Sequence, residues 1–160
     1  LSAGKMDIYE AYSEIKKIKD VRQFTGILYG LSFVGVALFF TMMLGGDFTD
    51  CMVAGIAGLA MAVTQWVLTP FGFNSFFLNM ISTLSMALTA VGFKKFFLPG
   101  INIDLVIIGG IMPIVPGVVF TTAMRDTLNG DYTAGVSRML ETGVVAFAVA
   151  VGVALAYVIL

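Results

Sequence analysis

Five long apolar segments make up most of this sequence, and they constrain its fold more than any other feature. Each has about 16 to 21 residues, close to the minimum that an α-helix needs to cross a bilayer. Of the 160 residues, 59% are hydrophobic and 12% are charged, whereas about 25% are charged in typical soluble domains. The sequence therefore predicts an all-α membrane protein with about five transmembrane helices, at residues 24–44, 51–68, 75–91, 105–120 and 143–160.

The residue types that are scarce exclude several classes of function. The chain has no histidine and one cysteine, Cys51. A Ser-His-Asp triad, a Cys-His pair, a histidine-ligated metal site and an intrachain disulfide are therefore excluded. The net charge is -1, and the basic residues do not form a patch that would fit nucleic acid. We expect no enzymatic activity, no metal or other cofactor, and no nucleic-acid partner.

Residues 1–23 precede the first apolar segment and predict an amphipathic helix on the cytoplasmic side. Its apolar stripe is Ile8, Tyr12, Ile15 and Ile18, and basic residues cluster near its end. This pattern fits a helix lying on anionic lipid or on an upstream domain, and equally a solvated lead-in to the first span. Because Leu1 is not an initiator methionine, we expect the helix to be the tail of a longer region. Residues 24–160 then form a five-span transmembrane domain.

The lysines and arginines predict the orientation of the chain. With the N-terminus in the cytoplasm, seven basic residues lie inside, including Arg125 and Arg138, and only Lys94 and Lys95 lie outside. The inverted orientation reverses this ratio, and basic residues favour the cytoplasmic side. We therefore expect a cytoplasmic N-terminus in a multi-pass protein of the inner (plasma) membrane.

Small residues recur at helical spacing in three of the apolar segments. In a membrane they let two helix backbones approach closely, so they predict packing faces rather than a function. The three sets are Gly26 and Gly30; Ala54, Gly58 and Ala62; and Ala148, Gly152 and Ala156.

The third segment carries a polar stripe on one helical face. Polar side chains within hydrocarbon require a partner helix or water. Hydrogen bonding between helices is one interpretation of the stripe, and a path for a solute is the other. The stripe comprises Ser75, Asn79, Ser82, Ser85 and Thr89.

The fourth segment is interrupted by Pro113 and Pro116. Prolines at membrane depth free backbone groups, which is tolerated where protein or a polar cavity satisfies them. Broken helices of this kind occur at translocation sites of transporters, although a kinked span followed by an ordinary loop fits the same pattern. Pro116 suits the first turn of a new helix, so we predict one from about Gly117 to Leu128, whose N-terminal amides attract carboxylates.

Charged and polar residues follow this break directly. On the predicted helix, Thr121 lies one turn from Arg125 and Thr122 one turn from Asp126. Arg125 points about 100° away from Asp126, which leaves Asp126 free for an ammonium group or a coupling proton. Arg125 binds a carboxylate, neutralises Asp126, or reaches Asp131, Glu141 or a lipid phosphate, and the residues do not decide between these roles.

A turn and a further helix complete this region. Asn129 and Gly130 predict a helix stop with positive φ at the glycine. Asp131 is expected to form local backbone hydrogen bonds. A helical stretch from Thr133 then carries Arg138 into the last span. We predict that the substrate or coupling path is formed by Thr121, Thr122, Arg125, Asp126, Asn129, Asp131 and Arg138.

These residues resemble a known family. The run 112–117, Met-Pro-Ile-Val-Pro-Gly, followed by Thr122 to Asp126, Asn129-Gly130-Asp131 and Gly135, is similar to the N-terminal-half membrane domain of the threonine/serine exporter family. The same subunit type occurs in split dicarboxylate (succinate) exporters. The resemblance covers essentially the whole chain, and its specific part is residues 113–138.

The resemblance implies a function and partners. It implies a secondary exporter of small hydrophilic amino acids or dicarboxylates, driven by the proton gradient, in contact with membrane lipid. It also implies two related five-span halves, so a second membrane subunit or a homo-oligomer is expected. The alternative is a non-transporting assembly subunit that docks a partner membrane protein, and a membrane hydrolase is a more distant one, because no nucleophile–base pair is present.

Overall fold

The computed structural model describes residues 26–160, which form helices joined by short turns. The helix predicted at residues 1–23 lies outside the described residues. A short 3₁₀ turn, Thr69–Phe71, follows the second helix. The α-helices of this part of the chain are α1 (Gly26–Met43), α2 (Phe48–Leu68), α3 (Ser75–Phe96), α4 (Ile103–Ile111), α5 (Gly117–Leu128) and α6 (Tyr132–Ile159).

Four of these helical stretches are long and apolar enough to cross a membrane: α1, α2 with its 3₁₀ extension, α3 and α6. The remaining predicted span, residues 105–120, is divided between α4 and α5. The chain leaves the helical conformation after Ile111 and resumes it at Gly117. The prediction of an all-α membrane protein with about five helices and a proline-broken fourth is therefore confirmed.

Helix α2 forms the centre of the bundle, with α1, α3 and α4 packed around it. Its buried face includes Val53, Ala57 and Met61. A Cβ atom added at Gly58 would lie 2.9 Å from Cβ of Ala37 and 3.0 Å from the carbonyl oxygen of Phe33. The backbones of α1 and α2 therefore approach as closely as the small residues of the second segment predict.

Two of the three predicted small-residue faces make close contacts. Ala148, Gly152 and Ala156 are buried, and a Cβ atom at Gly152 would lie 2.6 Å from the carbonyl oxygen of Met80 on α3. At Gly26 and Gly30 an added Cβ atom would meet only side-chain atoms, at 3.7 and 3.9 Å. This first pair therefore does not bring two backbones together within residues 26–160.

Helix α6 has two halves with different neighbours. Its C-terminal half runs alongside α3, where Phe147 stacks on Phe76 with ring centroids 6.2 Å apart. Its N-terminal half packs against α5 through Gly135, which contacts Thr127 and the carbonyl oxygen of Ala123. The C-terminal half of α6 therefore belongs to the bundle, and its N-terminal half forms a helical hairpin with α5.

Candidate functional site

The break between α4 and α5 has a defined backbone structure. Backbone amides at the end of α4 donate back into the helix. The N–H of Met112 donates to the carbonyl of Gly109 at 3.3 Å, and the N–H of Ile114 donates to the carbonyl of Ile111 at 3.0 Å. Pro116 has φ -81° and ψ 53° and is the N-cap of α5. A ψ of this value is not helical, so Pro116 lies one position before the first turn in which it was predicted. The predicted bounds of the helix, Gly117 to Leu128, are confirmed.

The two sides of the break are held by different parts of the protein. Helix α4 is packed against α1, α2 and α3, and a Cβ atom at Gly110 would lie 2.7 Å from Sδ of Met86. Helix α5 packs instead against α6. The segment of Pro113 and Pro116 therefore links a half-helix embedded in the bundle to one that belongs to the hairpin.

Asp50 anchors the start of α4. Its carboxylate is buried, with 4% of the residue exposed. Oδ1 accepts the backbone N–H of Asn102, the N-cap of α4, at 3.0 Å, and Oδ2 accepts that of Asp47, the N-cap of α2, at 3.1 Å. The carboxylate thus satisfies a backbone donor at two helix N-termini, where negative charge is stabilised.

An open groove of about 500 Å³ lies beside the break. Ile111, Val115 and Pro116 line one side, and small residues of α6, including Ala146 and Ala150, line the other. Its wall is predominantly apolar. The helix break thus borders space between α4 and α6 that protein atoms do not fill.

A tight turn joins α5 to α6. Gly130 has φ +87°, and its N–H donates to the carbonyl of Thr127 at 3.1 Å. The N–H of Asp131 donates to the carbonyl of Asp126 at 3.0 Å, which completes a Schellman motif. Oδ1 of Asp131 accepts the N–H of Ala134 at 3.1 Å. The helix stop at Gly130 and the local backbone role of Asp131 are both confirmed.

The hairpin places Asp126 next to Arg138. Oδ2 of Asp126 lies 3.3 Å from Nε of Arg138, and the two side chains are 24% and 46% exposed. The expectation that Asp126 is left without a partner is therefore wrong. Its partner comes from α6 because the turn folds the two helices back on each other, a pairing that spacing within α5 does not reveal. Arg125 is exposed and forms no ion pair within residues 26–160.

The two threonines of α5 that were predicted for the path form backbone hydrogen bonds. Oγ1 of Thr121 and Oγ1 of Thr122 both donate to the carbonyl of Val118, at 3.0 and 2.6 Å. Asn129 is exposed at the end of the helix. Of the residues predicted for the substrate or coupling path, the structure brings Asp126 and Arg138 into direct contact.

Two residues of the polar stripe of α3 contact α2. Oδ1 of Asn79 accepts from Nε2 of Gln65 at 3.4 Å, and Oγ of Ser85 is 2.8 Å from Oγ1 of Thr64. Gln65 in turn accepts from the hydroxyl of Tyr29 on α1. Two members of the stripe thus form bonds between helices, as one of its two interpretations required. Of the others, Ser75 is exposed, Thr89 bonds to the backbone of Ser85, and Ser82 is buried.

Sequence reasoning missed Tyr29, Thr64 and Gln65 as members of this polar cluster. Tyr29 stands alone among apolar neighbours, and Thr64 and Gln65 are an isolated adjacent pair in their segment, so no periodic pattern marks them. Gln65 carried the only available signal, because an amide within a predicted span needs hydrogen-bond partners. Across the described part of the chain, no three metal-ligating side chains come together.

Comparison with known families gives one result, and it covers all of the chain. Residues 1–160 match the family described as "Putative threonine/serine exporter". The chain belongs to this threonine/serine exporter family. Comparisons with curated proteins and with solved structures gave no match. The family confirms the resemblance carried by residues 113–138, and it agrees with a membrane transport protein.

Proposed function

We propose that this chain is one membrane half of a secondary exporter of threonine and serine or of dicarboxylates, driven by the proton gradient. The observation that carries the proposal is the helix break at Pro113 and Pro116, which borders an open groove and is followed on α5 by the Asp126–Arg138 pair. Broken membrane helices close to ionisable groups are typical of substrate and ion sites in secondary transporters. Membership of the exporter family supports the same conclusion.

The charged groups suit a zwitterionic solute. The solute's ammonium group competes with Arg138 for Asp126, while its carboxylate binds Arg138 or the exposed Arg125. The N-terminus of α5 lies about 13 Å along the helix from Asp126, so its backbone N–H groups would favour a carboxylate at a separate point of the path. A dicarboxylate would use the same cations and would leave Asp126 to carry a proton. Opening of the Asp126–Arg138 pair is then the step that solute binding drives.

The packing supports a movement of the hairpin relative to the bundle. Helix α4 is held by α1, α2 and α3 and by the hydrogen bond from Asn102 to Asp50, whereas α5 is held by α6. The contact of α6 with α3 runs along Ala148, Gly152 and Ala156, a face of small residues. This close contact holds the C-terminal half of α6 to the bundle, so the proposed movement is confined to α5 and the N-terminal half of α6, and the break absorbs the change in backbone conformation.

A second five-span half is part of the proposal. If two halves are required, vesicles that hold this chain with its second half should release preloaded threonine or succinate under a proton gradient, and vesicles with this chain alone should release little. Failure of both preparations with every solute, although the chains are correctly inserted, would favour the alternative of a non-transporting assembly subunit.

We propose further that the protein lies in the inner membrane with its N-terminus and the α5–α6 turn in the cytoplasm. Single cysteines at Ser2 and at Thr133, which is exposed, should resist an impermeant maleimide applied to intact cells. A cysteine at Pro99, in the exposed loop on the predicted outer side, should be labelled and serves as the matched control. Cys51 is replaced by alanine in every variant. Labelling at Ser2 or Thr133 from outside would contradict this orientation.

A further inference from the structure

The open groove beside the break is part of a longer groove between α4 and α6. A second opening of about 270 Å³ lies beyond it, toward the N-terminus of α4. Ile107 and Val153 line both openings, so the two form one continuous α4–α6 groove. Helix α4 packs against α1, α2 and α3, and α6 packs against α3 and α5. The groove is therefore a gap between two helices that are each held by other neighbours.

The wall of the α4–α6 groove is apolar over most of its length. Exposed alanines of α6 form one side, and isoleucines of α4 form the other. The alanines leave room because their side chains end at Cβ. The larger opening, of about 500 Å³, is within the range of about 300–1,000 Å³ that is typical of ligand pockets. The lining residues that form these two sides are Ala146, Ala150, Ala154, Ile107 and Ile111.

The length of the α4–α6 groove indicates what fills it. Its lining residues on α6 run from Ala146 to Tyr157, a distance of about 16 Å along the helix. The hydrocarbon core of a bilayer is about 30 Å thick, so the groove extends over about half of it, the depth of one leaflet. Pro116 lines its inner end, and beyond the break α5 packs against α6. The acyl chain of a lipid matches this length, whereas a transmembrane helix needs a groove about twice as long.

Two polar side chains lie at the other end of the groove. Asp104 and Tyr157 both line the smaller opening. Asp104 is exposed and forms no ion pair within residues 26–160, and no lysine or arginine of the described residues lines either opening. A carboxylate attracts a cation and repels an anion, and a tyrosine hydroxyl can donate to a phosphate oxygen. This end therefore suits a headgroup with an ammonium group close to a phosphate, as in phosphatidylethanolamine.

We propose that the α4–α6 groove is a binding site for an amine-bearing phospholipid. One acyl chain lies along Ala146, Ala150 and Ala154 and ends near Pro116, and the ammonium group binds Asp104. The residues of the proposed solute path line neither opening. The inference is therefore independent of which solute the protein exports.

The test measures lipid binding to the purified protein by native mass spectrometry, with phosphatidylethanolamine and phosphatidylglycerol that carry identical acyl chains. Wild type should bind phosphatidylethanolamine about two- to fivefold more tightly, the effect of one exposed ion pair. Asp104→Asn should bind the two lipids equally. Ala150→Leu fills the groove and should weaken the binding of both lipids. Both side chains are exposed, so neither substitution should change the melting temperature.

Asp47→Asn is the matched control. Asp47 is another exposed aspartate at a helix N-terminus, that of α2, and it does not line the groove. Asparagine is also a good N-cap, so this variant should keep the wild-type preference for phosphatidylethanolamine. The inference would be overturned by an Asp104→Asn variant that keeps the preference, or by an Ala150→Leu variant that binds both lipids as wild type does. Dissociation of a second copy of the chain by Ala150→Leu, visible in the same spectra, would also overturn it, because a protein helix would then occupy the groove.

Discussion

Asp126→Asn should strongly reduce gradient-driven export and leave the protein folded in the membrane. The substitution keeps the shape of the side chain and removes its charge, so the residue loses both its ion pair with Arg138 and its ability to carry a proton or bind an ammonium group. A hydrogen bond to a charged group contributes about 1.5–3 kcal/mol, so losing one during transport should lower the export rate by about 10- to 100-fold. The measurement is the export rate of threonine as a function of external pH.

Asp131→Asn is the matched control for this experiment. Asp131 lies five positions further along, and its carboxylate caps α6 through the N–H of Ala134. Asparagine is also a good N-cap, so export and its pH profile should change little. Normal export by Asp126→Asn with an unchanged pH profile would show that the Asp126–Arg138 pair only holds α5 and α6 together.

The bounds of α5 and the turn after it were predictable because they depend on local chemistry. Proline removes a backbone donor and marks the start of the helix, and Gly130 can adopt the positive φ that its stop requires. The small residues of the second and last segments likewise predicted close packing, because a small side chain leaves room for the backbone of a neighbouring helix. Each of these features is determined by residues a few positions apart.

The partners of the charged and polar residues were not predictable in the same way. Arg138 meets Asp126 because the hairpin closes, and Asp50 meets the amide of Asn102 although 52 positions separate them. Such contacts depend on how helices pack, and periodicity within one helix carries no information about them. The polar stripe illustrates the difference. Its spacing placed Asn79 and Ser85 on one face, and only the tertiary structure placed Gln65 and Thr64 opposite them.

The double variant Pro113→Ala, Pro116→Ala should lose most of its export activity because it favours a continuous helix across the break. A proline in a helix interior costs about 3 kcal/mol. Alanine at both positions restores two backbone donors. Removing the cost of a single proline shifts the equilibrium from the broken toward the continuous helix by about 100-fold. The single variant Pro116→Ala should reduce export less. Backbone amides of residues 112–118 should become more protected against hydrogen exchange in the double variant.

Pro99→Ala is the matched control, because Pro99 lies in an exposed loop outside the helices and its loss should change neither export nor exchange at the break. The two readouts of the double variant separate its possible outcomes. Increased protection together with lost export supports a break that must stay open for transport. Increased protection with wild-type export would mean that the chain transports its solute through a continuous fourth helix, and the proposed role of the break as hinge and solute site would then be wrong.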